Sequence, residues 1–490
     1  MKKVIVIGGG ISGLTASICL SLKGFEVHLY EKNAFVGGLA NGFYINGQYV
    51  DTCLHWLMGT LKGTKINDIH RLTHAITDEV EIIKLPSLGT FSLNGIDVTF
   101  YRDLEKAEKE WIKISPEDEE QIKQFFEYTK DLSTLVLATE NDGLIKNIEV
   151  KPALKRLTKQ RKDLAIIFKE SREVYARRFK NEAIRNAIIN FQNGYNSMAF
   201  AFIEYGLFSK GDTDLPKGGV IPLINRMKER FISLGGVLHL STEVNRIVTE
   251  KKKAIGILAN NELIKADIVL SCCDPLFTIE NLLENKYKYP LYQKLKNNID
   301  KNPISSCYSL FVSVKKGLSY LDVPTGLNIG ELNINGKIIN TVFMRPYHYD
   351  DSFKKEGETL ISFLFNQDQN DFDYWKNLHD LSSEEYKREK EYINEFIITK
   401  MCETYNINYD DVTYLTSFGP LELNKLTNSS YGAIQSFSFL NGIMRIAKGK
   451  IEGLKNFYMA SQWSRSIGGT PTATIYAKKI SDLIAKENKK

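Results

Sequence analysis

The sequence predicts an α/β protein: one parallel-sheet domain assembled from separated stretches, a mixed α+β domain and a helical insertion. Three observations predict it. The chain opens on an all-apolar run, VIVI, that leads through GGGISG into a helix-patterned stretch and a second apolar run closed by an acid. A similar alternation of Gly-Gly, helix and short apolar runs returns at 215–275. A last apolar run, Gly-Gly and helix follow near 457–485.

Taken in order, Val4 to Ile7 reads as a strand buried on both faces of a parallel sheet. Gly8, Gly10 and Gly13 complete GxGxxG around Ile11 and Ser12, and Leu14 to Leu22 is a helix stopped at Gly24. Val27 to Tyr30 is the second strand, ended by Glu31 and Lys32. In a Rossmann-type unit the first glycine permits the turn and the second lets backbone approach a pyrophosphate. The third lets helix and strand pack closely. The anion sits on free N–H groups at the helix N-terminus, and an acid roughly twenty residues on accepts from a ribose hydroxyl. Gly37, Gly38 and Leu39 then offer a second close backbone approach to the same diphosphate. Two such approaches suit a dinucleotide held permanently, as flavins are.

Residues 41–100 alternate short β-like runs with turns. From 104 to about 205 the pattern is helical, with Ser115-Pro116-Glu117-Asp118 as a helix start, Ser115 being the N-cap. Pro216-Lys217-Gly218-Gly219 leads into a helix carrying Val220, Leu223, Ile224, Met227 and Phe231, and four short strands follow by 270. Phe457 to Ala460 is a further strand, and Gly468-Gly469-Thr470-Pro471 opens a helix. The expected division is 1–105, 211–275 and 416–490 for the discontinuous Rossmann-type domain, 276–415 for the α+β substrate domain, and 106–210 for the insertion.

Bulk properties bound the function. Of 490 residues, 43% are hydrophobic and 25% charged, with 64 Lys+Arg against 59 Asp+Glu. A net charge of +5 in so long a chain gives no basic stripe for nucleic acid. The apolar start breaks at glycines and carries no small-residue cleavage site, so no signal peptide is expected. No run approaches the ~20 apolar residues of a membrane span. A cytoplasmic protein is expected. The six cysteines are scattered without CxxC, so neither disulfide nor structural zinc is expected, and no metal site is assigned.

The motifs in this order resemble the phytoene desaturase, carotenoid isomerase and retinol saturase group of amine-oxidase-like flavoproteins. The resemblance rests on VIGGGISGL (6–14), EKNAFVGG (31–38), VDTCLH (50–55), LPKGG (215–219) and GGTPTA (468–473). It implies FAD as cofactor. Gly8, Gly10 and Gly13 would cradle the diphosphate, Glu31 would hold the adenosine ribose, and Gly37-Gly38 would line the flavin side. Val244 falls where the family meets the adenine with backbone atoms. Gly469 and Thr470, after Gly468, would present helix N–H groups to the pyrimidine edge of the ring. The sequence departs from the pattern in three places. Met459-Ala460-Ser461 replaces a Gly-Asp pair, which leaves Ser461 for the ribityl contact. Leu39 stands where related chains carry Arg, and Cys53 stands where they carry Gly.

The resemblance implies an FAD-dependent oxidoreductase that saturates, desaturates or isomerises C=C bonds of a lipophilic isoprenoid or polyene substrate. The alternatives are a flavin amine oxidase acting on a polar amine, with Trp463 in an aromatic cage, and a non-redox flavin-dependent isomerase. Asp51, His55, Trp56 and Gly59 match the segment beside the flavin ring, and His55 is the leading choice for a flavin-proximal polar group, either a proton donor to the substrate carbon, as a histidine near its ordinary pKa, or a purely structural hydrogen-bonding group. A lipophilic substrate lies in membrane. The basic helical region, with Lys155, Arg156, Lys159, Arg161 and Lys162, is the surface expected to touch it.

Overall fold

The computed structural model describes residues 1–140, 147–191, 197–315, 317–319, 321, 324–438 and 445–488. Five strands form a parallel sheet in the order Val237–His239, Glu26–Tyr30, Lys3–Ile7, Ile268–Ser271 and Phe457–Met459. They come from three separated parts of the chain, as the discontinuous α/β reading expects. The alternation along the first strand explains why its run is apolar throughout. Val4 and Val6 pack with Leu14, Ile18 and Ile480 on one face. Ile5 and Ile7 pack with Val244, Ile257 and Phe457 on the other.

The first face is covered by the helices Ile11–Leu22 and Gly469–Asn488, which lie against each other. Ser12 Oγ donates to the Ala473 carbonyl at 2.9 Å, joining the two helix starts. The second face is covered by a three-stranded antiparallel sheet, Val244–Glu250, Lys253–Ala259 and Glu262–Lys265.

A seven-stranded sheet forms the other large layer. Its order is Val412–Phe418, Ser306–Val314, Thr359–Gln367, Lys337–Pro346, Thr325–Ile334, Ser87–Leu93 and Ile96–Tyr101. This divides the chain differently from the expected boundaries. The hairpin at 87–101, placed with the Rossmann-type domain, extends this sheet through parallel pairing of Thr90 and Phe91 with Thr325 and Gly326. The strand Val412–Phe418, cut by the expected boundary at 415/416, pairs along its whole length with Ser306–Val314. Strand pairing is set by partners far away in the chain, which local pattern does not report.

The insertion is helical as expected, and its residues 141–146 and 192–196 lie outside the described residues. Its core is aromatic: Trp111, Phe125 and Tyr205 gather around Phe100 of the hairpin. Ser115 stands at the N-cap of the turn Pro116–Asp118 that leads into the helix Glu119–Glu140, as expected, but its side chain caps no backbone N–H; its hydroxyl donates to Asp118 Oδ2 at 2.8 Å. Asp118 in turn accepts from the Lys180 and Asn181 backbone N–H groups, so this turn anchors a distant loop. No helix among the described residues is long and apolar enough to cross a membrane.

Candidate active site

A cleft runs between the two sheets and encloses ≈ 2020 Å³, counted out to its open mouth. Its deep end is built from glycine backbone. Gly8 has φ +96°, and its N–H donates to the Tyr30 carbonyl at 2.9 Å. The helix Ile11–Leu22 begins at Gly10 with no side-chain cap, and Gly10, Ile11 and Ser12 line the cleft. Gly13 does not line it. It lies beneath, where a Cβ would stand 1.8 Å from the Gly8 carbonyl oxygen. Gly37 bridges Gly10, and a Cβ on Gly38 would stand 3.3 Å from Gly10 Cα. Leu39 follows on the same wall. Two backbone segments thus converge on an uncapped helix N-terminus, a cradle that fits a diphosphate.

Glu31 is buried at the end of the second strand, and both its oxygens are engaged. Oε2 accepts from Gly9 N at 2.8 Å, and Oε1 accepts from Asn33 N and Nδ2 at 2.9 and 2.8 Å. It therefore holds the glycine turn as well as facing the cleft. Lys32 turns aside, with Nζ donating to the Lys425 carbonyl and Asn428 Oδ1. Val244 lines the same end beside Cys273 and Asp274. Burial pushes the Asp274 carboxyl up to about 6, against the pull of the Ser430, Phe277 and Leu276 N–H groups.

The segment VDTCLHW crosses the middle of the cleft. Asp51 anchors it from behind. Oδ1 accepts from Cys53 N and Leu54 N at 3.0 and 2.8 Å, and Oδ2 accepts from Val220 N at 2.7 Å. Gly219 precedes that helix with φ +71°, and a Cβ there would stand 2.5 Å from Asp51 Oδ2. Gly219 of LPKGG is therefore explained by a carboxylate 168 positions earlier, and neither glycine of the motif lines the cleft. Burial raises the Asp51 carboxyl, and the three N–H donors oppose that rise.

His55 faces the cleft, and its buried Nδ1 has no hydrogen-bond partner. Burial, helped by the Arg345 guanidinium, pulls it down to about 3. This corrects the expectation of a histidine near its ordinary pKa. So lowered, the ring is neutral at pH 7 and carries no imidazolium proton to give up. His70, whose Nε2 meets the Met58 carbonyl at 2.9 Å, is pulled down to about 4 by burial.

Both rings stay neutral while an unfolded chain protonates below about pH 6.5. Their contribution to stability is complete above that pH and is lost as pH falls toward 4. For His70 the slope reaches at most about 1.4 kcal/mol per pH unit. Urea midpoints should fall between pH 7 and pH 5. His70→Gln, whose amide can keep the Met58 bond, should flatten the fall; an unchanged slope in that variant would contradict the assignment.

The late glycines close the far wall. Gly468 and Gly469 have φ +68° and +72°, and with Thr470 they line the cleft. Gly469 N is not free as expected, since it donates to Gln462 Oε1 at 3.2 Å. Pro471, next but one, has no N–H to offer, and Thr470 lines the cleft between them. Ser461 Oγ accepts from Trp463 N at 3.2 Å and keeps its own proton to donate. Trp463 is itself buried against Phe437. Cys272, Cys273, Gln462 and Glu204 also line the cleft, and the sequence did not single them out. Only Cys272 and Cys273 carried a signal, as the end of a strand opposite the first glycine.

Comparison with known proteins agrees with this arrangement. The family of flavin containing amine oxidoreductases matches residues 11–482. A 4,4'-diapolycopene oxygenase from Methylomonas sp is 28% identical over 305 residues, 58% of each chain. A 4,4'-diaponeurosporene oxygenase from Staphylococcus aureus is 22% identical over 327 residues, 64% of this chain and 63% of that one. The chain thus spans 58% and 63% of the length of these two relatives. In fold it is similar to an oxidoreductase from Methanosarcina mazei, with TM-score 0.62, 16% identity and coverage of 98% and 100% of the two chains. With the family match running nearly end to end and the glycine cradle in place, the chain belongs to the flavin containing amine oxidoreductases, and its cofactor is FAD.

Proposed function

We propose that this flavoprotein acts on C=C or C–C bonds of a lipophilic isoprenoid or polyene substrate, by saturation, desaturation or isomerisation. The observation that carries the reading is the continuity of the cleft. The space that starts at the glycine cradle continues to Trp56, Met58, Phe200, Cys307, Leu364 and Phe418. When bound, the flavin supplies electron and hydride exchange. The chain's own residues then have to hold an apolar substrate, exclude water and orient one bond. His55, neutral and unpartnered at Nδ1, supplies a hydrogen bond at that place. The carotenoid substrates in the relatives' names support a long polyene. The amine reading wants a lysine poised at the ring. The only lysine among the described residues that line the cleft is Lys32, and its Nζ is bound at the other end.

A substrate of this kind is delivered from membrane. The helices Asn147–Lys159 and Arg161–Ile167 expose Leu154 and Ile166 among Lys155, Lys159, Arg161 and Lys162. That mixture suits peripheral contact with an anionic surface. Arg156 does not belong to it, because its guanidinium is paired with Asp131 at 2.5 and 2.8 Å.

The test uses FAD-loaded protein under anaerobic conditions, with acyclic polyenes supplied in vesicles with and without anionic lipid. Polyene absorbance should shift, and the protein should sediment with the anionic vesicles. Polyene spectra that never change, together with flavin bleached by alkylamines, would overturn the reading. His55→Ala should slow turnover by tenfold or more, and unchanged turnover would reduce His55 to a packing role.

A further inference from the structure

We infer that Glu204 recognises an oxygen-bearing end of the substrate, a hydroxyl or a carbonyl, at the end of the cleft walled by the helical insertion. The inference rests on the lipophilic-substrate reading and narrows it: the substrate is a polyene with a polar terminus, not a pure hydrocarbon.

Four other groups with carboxylate or ammonium side chains line the cleft, and each is accounted for. Glu31, Lys32 and Asp274 are engaged by the hydrogen bonds given above, and Glu243 is exposed to solvent. Glu204 is different. It projects from the helix Met198–Ser209, one turn after Phe200, and both side chains reach the cleft wall. The same cleft is lined by Met58 and Thr213, which pair with each other on neighbouring strands. The Glu204 carboxyl makes no hydrogen bond or ion pair among the described residues. Behind it lies Arg172, 3% exposed, with an Nε that has no partner. The arginine acts on the carboxyl through its field without bonding to it.

A carboxyl left unbonded in a cleft also lined by Phe200, Met58 and Trp56 is costly to cover with hydrocarbon, charged or not. A hydroxyl or carbonyl placed there removes that cost. A site with such an unpaired group rejects the analogue that lacks the matching polar atom far more strongly than a purely apolar site rejects an analogue that carries an extra hydroxyl. Burial pushes the carboxyl up to about 7, and Arg172 holds it back. Both protonation states are therefore present near neutral pH. The neutral form donates to a carbonyl, and the ionised form accepts from a hydroxyl. The other titratable groups facing this region do not change charge near pH 7. His55 is neutral down to about 3, burial pushes the Cys53 thiol up, and Tyr128 on the helix packed behind is held up to about 12.

The experiment measures binding, by quenching of tryptophan emission in FAD-loaded protein. The probes are three polyenes of equal length ending in methyl, hydroxyl or aldehyde, and an alkylamine. Wild type should bind the alcohol and the aldehyde at least tenfold more tightly than the hydrocarbon. Aldehyde affinity should fall as pH rises above about 7, and alcohol affinity should not. Glu204→Leu should bind the three polyenes within about twofold of one another, with its flavin content unchanged. Glu204→Gln should keep the polar preference and lose the pH dependence. An equal preference for the polar ends in wild type and Glu204→Leu would overturn the role of Glu204 while leaving the polyene reading intact. Binding of none of the polyenes to wild type, with Glu204-dependent binding of the alkylamine, would overturn both.

Discussion

Gly13→Ala is expected to give a protein that does not retain flavin and is less stable by about 3 kcal/mol, the upper end for overpacking a rigid site. The added Cβ would stand 1.8 Å from the Gly8 carbonyl oxygen and 3.0 Å from its carbon. No side-chain rotation relieves this, because both atoms are backbone. Either the helix Ile11–Leu22 or the strand end must move. Movement at Gly8 stretches its hydrogen bond to Tyr30 and shifts Gly10 away from the Gly37–Gly38 segment. The cradle loses its shape from below, although Gly13 never faces the cleft. Gly24→Ala is the control. It has open space around it and φ +82°, so it should cost only about 1 kcal/mol of backbone strain and leave flavin binding intact. Flavin absorbance after gel filtration and the urea midpoint read both effects. A fully flavinylated Gly13→Ala protein with a wild-type midpoint would refute the packing argument.

Asp51→Ala should have the second largest effect, a loss of about 3–5 kcal/mol. It strands three backbone N–H groups, the buried ones of Leu54 and Val220 and the part-buried one of Cys53, at roughly 1–3 kcal/mol each before relaxation. It also frees the start of the helix Val220–Ser233, whose next N–H, on Ile221, is held by Tyr49 Oη at 3.1 Å. Asp51→Asn should lose about half as much. Its carbonyl can still serve Cys53 and Leu54, while its amide confronts the Val220 N–H. The polyene assay should register both changes, since His55 sits four residues on. Thermal or urea midpoints within 0.5 kcal/mol of wild type for Asp51→Ala would show that these bonds are dispensable.

Much of the deep cleft was legible in the sequence because it is local. Gly8 to Gly13 lies on one turn between one strand and one helix. Gly37-Gly38 follows within a short loop, and each glycine has a geometric reason that its immediate neighbours reveal. Apolar runs such as Val4 to Ile7 announced burial on both faces for the same reason. Other readings missed partners that only the folded chain supplies. Glu31 spends both oxygens on Gly9 and Asn33 as well as facing the cleft. Gly469 N, expected to be free, is taken by Gln462. The hairpin at 87–101 joined the sheet of its remote partner strand, Thr325–Ile334.

The sequence by itself determined the α/β class, the glycine cradle and the order of motifs, because periodicity and turn chemistry act over a few residues. Only the tertiary structure decided what VDTCLHW does. It showed Asp51 as the tie to the LPKGG helix, and it enclosed His55 near Arg345, where burial pulls the ring down to about 3 and keeps it neutral at pH 7. It also brought Glu204 to the same cleft from 149 positions away. Charge, solvation and convergence depend on what surrounds a group, and those surroundings exist only once the chain has folded.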